Sequence, residues 1–126
     1  MAAIERKIYV DYNLQNNKLS NVHADLFNVG ISRKSINYAL QATDNYKVIE
    51  MNVASANTVT ISASVFSAGN QVVVEQYGAG QTSFVAGSGM TLRSDGGKLK
   101  ISAQYGACTI VFKSASEATI YGNLTA

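Results

Sequence analysis

From Thr58 to Gly122 the chain is a succession of short apolar and polar alternations. In "TVTIS", Val59 and Ile61 fall on one side and Thr58 and Thr60 on the other; in "KLKIS", Leu99 and Ile101 oppose Lys98 and Lys100. A period of two is the mark of a strand with one buried and one wet face. The runs "QVVVEQY", "TSFVA", "MTLR", "CTIVFK" and "ATIYG" continue the series, broken by small or glycine-bearing turns. Turn signals at intervals of about 8 to 12 residues predict an all-β domain, here a small antiparallel β-sandwich or jelly-roll-like fold over residues 46–126.

The first 45 residues differ. "KIYVDYNL" alternates Ile8, Val10, Tyr12 and Leu14 with Tyr9, Asp11 and Asn13, which predicts one strand. The stretch that follows, up to Tyr46, is rich in Asn and Ser and thinly apolar. Within it "SRKSINYALQA" sets Ile36 and Leu40 four apart, with Ser32 or Ser35 as N-cap, so any helix there is short. Such a segment builds no core of its own. Residues 1–45 are expected to form an extended arm or linker that orders on another chain, or stays disordered when free.

Four glycines fall within "YGAGQTSFVAGSG", Tyr77 to Gly89. A phosphate-cradling loop needs a strand before it and a helix after it, because backbone amides at a helix start hold the anion. Here the following "QTSFV" and "MTLRS" are β-prone, and Gly97-Lys98 runs into Leu99 where the Walker pattern needs a hydroxyl. "GAG", "GSG" and "DGG" therefore read as hairpin and bulge turns that exploit positive φ.

Length and charge narrow the function classes. A chain of 126 residues makes one domain, and 14% charged residues with a net charge of +2 generate no field that draws nucleic acid or a membrane. "MAAIERKIYV" lacks the apolar core of a secretory signal, although Asn123-Leu124-Thr125 fits the N-glycosylation pattern. Cys108, the single cysteine, sits in "ACTIVF" and reads as an inert packing group. His23, the single histidine, stands in the polar arm with no Gly-x-Ser-x-Gly elbow and reads as solvated or capping. The carboxylates are Glu5, Asp11, Asp25, Asp44, Glu50, Glu75, Asp95 and Glu117. Glycoside hydrolysis needs two of them across a groove, which the sequence does not place. No catalytic residue, cofactor or metal is expected. Tyr77, Tyr105 and Tyr121 fall at or near turns, where rings either pack at strand ends or serve surface recognition.

The C-terminal two-thirds resembles a known β-domain. Its markers are "NTVTI" (Asn57 to Ile61), "GAGQ" (Gly78 to Gln81) with Phe84, "AGSG" (Ala86 to Gly89), "GGKLK" (Gly96 to Lys100), Gln104-Tyr105 and "GNL" (Gly122 to Leu124). The domain recurs in virion structural proteins of tailed bacteriophages, among them fibres, tail and collar components and head-attached proteins. Two positions depart from the family pattern: Ser62 stands where a proline usually follows the "VTI" strand, and Ala118 where the last strand tends to carry a tryptophan.

The resemblance implies a non-enzymatic virion protein on the outer surface of the phage particle, a head fibre, decoration or tail/collar fibre component. The opening segment is similar to those with which phage fibre proteins begin. It implies docking on a capsid, neck or tail protein through Ile8, Tyr9, Val10, Tyr12 and Leu14. A modest core of thin strands also favours closed association as a homotrimer, which buries strand edges. The other reading makes the turns a binder of host receptor or cell-surface glycan through Tyr77, Tyr105 and Tyr121.

Overall fold

The computed structural model describes residues 11–13, 18–20 and 28–126. The all-β expectation holds, and the arrangement of the sheets is solenoid-like. Strands β1 (Asp11–Asn13) and β2 (Lys18–Ser20) pair antiparallel in a two-stranded sheet of their own. The other strands form two larger sheets. One contains, in spatial order, β3 (Gly30–Lys34), β5 (Lys47–Met51), β7 (Gln71–Gln76), β11 (Ala107–Ser114), β12 (Glu117–Gly122) and β9 (Thr91–Ser94). The second runs β13 (Leu124–Thr125), β10 (Lys100–Ile101), β8 (Thr82–Ala86), β6 (Asn57–Ile61) and β4 (Tyr38–Ala39).

From β3 to β8 the chain crosses from one sheet to the other and back, laying each new strand parallel to the one a coil earlier. This corrects the antiparallel sandwich expected from the sequence. Alternation reports which side chains face inward, and is silent on whether the next strand joins the same sheet or the opposite one. Between the second and third coils the register is constant at 25 positions: Val48 lies beside Val73, Met51 beside Gln76, Asn57 beside Thr82 and Ile61 beside Ala86. Within the two larger sheets, antiparallel pairing appears later. The β11–β12 hairpin inserts between β7 and β9, and β13 pairs antiparallel with β10.

The core lies between the two sheets. Ile49, Met51, Val72, Val74, Ile110 and Phe112 face inward from the six-stranded sheet, and Val59, Ile61, Phe84 and Ile101 from the five-stranded one. The Phe66 ring, from the loop after β6, stacks on Phe112 with centroids 4.2 Å apart. Ala118 and Cys108 are buried in the same cluster. Burial pushes the Cys108 thiol up to about 12, consistent with an inert packing group.

Residues 30–44, inside the range expected to be an arm, belong to this fold. β3 pairs with β5, β4 pairs with β6, and a single 3-10 turn occupies Ala42–Asp44. The short helix considered around Ile36 and Leu40 is absent: Leu40 is buried while Ile36 is 73% exposed, so the two do not share a face. Propensity this weak yields to a ladder that the neighbouring coil offers ready-made.

Candidate functional site

Packing explains the glycines between Tyr77 and Gly89. Gly89, Gly96 and Gly97 do take positive φ, as expected of turns. Gly78 and Gly80 do not, which corrects the reading of "GAG" as a positive-φ turn. A Cβ on Gly78 would lie 2.5 Å from the backbone N and O of Val53, and one on Gly80 would collide with the Ser55 carbonyl. Glycine is required there because one coil corner presses directly on the corner beneath it.

A buried polar cluster fixes the same corner. The Thr82 hydroxyl donates to Asn57 Oδ1 at 2.8 Å, and the Thr82 amide donates to Gln76 Oε1 at 3.2 Å. Asn57 Nδ2 donates to the carbonyls of Ser55 at 3.0 Å and Gly80 at 3.2 Å, tying successive coils together. Among the described residues no buried side-chain nitrogen or oxygen lacks a partner. These groups hold register, because a slipped coil would strand buried polar atoms.

The sequence-derived recognition residues divide into two places. Tyr77 and Tyr105 meet edge to face, with centroids 5.6 Å apart, and the Arg33 guanidinium lies 3.9 Å over the Tyr77 ring. Arg33 also reaches Glu50 Oε1 from Nε at 3.0 Å and from Nη2 at 2.9 Å. These contacts hold the guanidinium pKa above its ordinary value, the hydrogen bond to Glu50 contributing most. Tyr105 itself is left-handed at φ 66 and strongly exposed, on the turn that leads into β11.

Tyr121 instead lines a groove of about 460 Å³ with Asp95, Lys98, Ile120, Gly122 and Leu124. Lys113 Nζ donates to its hydroxyl at 3.1 Å, and the ammonium holds the phenol below its usual pKa. A second groove, about 360 Å³, lies on the outer face of the six-stranded sheet between Val29, Tyr46, Val48, Val73 and Thr109. Sequence reasoning gave no hint of it. Its floor is a ladder row, Val48 beside Val73 beside Thr109, continued by Ile31 at one end and Tyr121 at the other.

The acids are dispersed among structural duties. Asp44 is buried, accepts from the Tyr38 hydroxyl at 2.6 Å and the Gln41 amide at 2.8 Å, and so closes the turn before β5. Burial, with Asp44 behind it, raises the Tyr38 phenol to about 12. Glu117 pairs with Arg93 at 2.7 Å. Glu50 and Glu75 are ladder neighbours on the outer face, where Arg33 neutralises the first, and neither of them lines the two grooves. Among the described residues no three His, Cys, Asp or Glu side chains gather as a metal group. Ile8, Tyr9, Val10, Leu14 and His23 lie outside the described residues; Tyr12 falls in β1, beside Leu19 of β2.

Comparison with protein-family models and with curated proteins finds no match.

Proposed function

We propose that the protein is a non-enzymatic structural component of a tailed-phage virion, docked through its N-terminal region and displaying the β-solenoid outward as a homotrimer. One observation carries the reading. Motifs that resemble the phage β-domain occupy the points this framework depends on: "NTVTI" is β6, "GAGQ" is the close coil corner, Gln104-Tyr105 makes the turn into β11, and "GNL" leads into β13. The resemblance therefore rests on architecture, and the function proposed is an architectural one. Attachment is assigned to Ile8, Tyr9, Val10, Tyr12 and Leu14, with a capsid, neck or tail protein as partner. Imaging of labelled protein on intact particles tests it: the label decorates the outer surface at fixed sites, and a chain lacking residues 1–27 fails to incorporate. Uniform absence from purified particles overturns it.

The Tyr121 groove favours a second reading, recognition of a host-surface glycan. A half-exposed ring beside Lys98 and Asp95 offers a sugar a stacking face and hydrogen-bonding groups. A glycan array on which wild type binds and Tyr121→Ala does not would support it. Wild type silent on the array and on host cells removes it.

A further inference from the structure

The chain contains two incomplete β elements that complement each other. The first is the outer edge of β3, which among the described residues pairs only with β5 and so leaves one row of backbone donors and acceptors without a strand. The coil it starts also exposes three aliphatic side chains: Val29, Ile31 and Ile36 are 59%, 66% and 73% exposed. Solenoid ends normally carry a polar cap, because a bare final coil invites association. The second element is the β1–β2 hairpin, a sheet of only two strands. An isolated pair of strands is marginal in water and gains stability from a third.

We infer that the β3 edge of one copy receives the β1–β2 hairpin of a second copy, so that chains associate by exchanging strands. Exchange within one chain would put hairpin and β3 in a single sheet, whereas they stand in separate sheets. Residues 21–29 join them, a tether of at most about 30 Å when extended, long enough for the hairpin to leave its own solenoid. The added strand completes the open ladder beside the exposed Ile31. Glu50 and Tyr77 already hold Arg33, and the Lys34 ammonium sits 4.2 Å over the Tyr38 ring, so neither basic side chain of β3 competes for the seat.

This inference rests on the self-association proposed above and specifies its contact. The test compares four samples by light scattering: wild type, a chain lacking residues 1–27, Ile31→Lys in the full chain, and a mixture of the two altered chains. Circular dichroism and thermal unfolding first establish that both altered chains keep the solenoid. Wild type is expected as an oligomer and each altered chain alone as a monomer. The mixture is expected to give a one-to-one complex, because one member supplies the hairpin and the other an intact β3 edge. Oligomers that persist in either altered chain overturn the exchange while leaving self-association standing. A mixture that stays monomeric overturns it in the same way. A monomeric wild type overturns both. Should Ile31→Lys lose the fold, Ile31→Thr replaces it, with the same outcomes read.

Discussion

The two ends of the solenoid are finished differently. At the far end the β11–β12 hairpin and β13 turn the winding into antiparallel pairing, and the edge strand β9 presents Arg93, ion-paired to Glu117. Each edge strand of the six-stranded sheet carries an arginine held by a glutamate, Arg93 on β9 and Arg33 on β3, so the ends differ in winding and in exposed apolar surface. At the near end the parallel winding simply begins, with Val29 and Ile31 in water and β3 unpaired on its outer side among the described residues. The contrast separates two tasks that a solenoid must solve, stopping its own growth and offering a place to join. This chain does the first at one end and leaves the second available at the other.

Between the ends lies a middle that tolerates little. Phe112→Ala removes the ring stacked on Phe66, and unfolding in urea is expected to show a loss of about 3–5 kcal/mol. Ile31→Ala, at the open end, is expected to change the same measurement by less than about 0.5 kcal/mol in a monomeric background. Equal sensitivity at the two positions would erase the distinction drawn above. Asn57→Ala strands the Thr82 hydroxyl inside the coil corner and is expected to cost about 1–3 kcal/mol, measured the same way.

Alkali should also act on the middle. The folded state holds the Cys108 proton up to about 12 against 9.0 for a free thiol, so the unfolded chain ionises first. Stability is full below pH 9 and falls as pH rises toward 12, by on the order of 1.4 kcal/mol at pH 10. Tyr38, raised to about 12 from 10.0, steepens the loss above pH 10. Thermal unfolding across this range checks the slope, and Cys108→Ala should remove its first part. An effect as small as that of Ile31→Ala belongs to the closed end, where Arg93→Ala breaks an exposed ion pair and should shift stability by at most about 0.5 kcal/mol in the urea series.

The strands were legible because burial writes itself as alternation. Val59, Ile61 and Ile101 face the core as their spacing predicts. The winding was not legible. Its trace in sequence is a recurrence at 25 positions that keeps only Val48/Val73, Glu50/Glu75 and Ala54/Ala79 between Lys47 and Ala86. Gly78 and Gly80 misled because a glycine needed for close approach looks the same in sequence as one needed for positive φ. The Asn57, Gln76 and Thr82 cluster was hidden because polar residues in strands usually read as the wet face. Of the candidate tyrosines, sequence found all three near turns and had no means of showing that Arg33 clamps one pair while Tyr121 lines a groove elsewhere.

The constant step between the second and third coils makes length a countable property. Strands stack about 4.8 Å apart, so inserting or deleting one whole coil would change the length of the stacked sheets by that increment and leave both extremities chemically untouched. Copying or dropping one unit would thus alter length in whole steps, with no redesign of what lies at either tip.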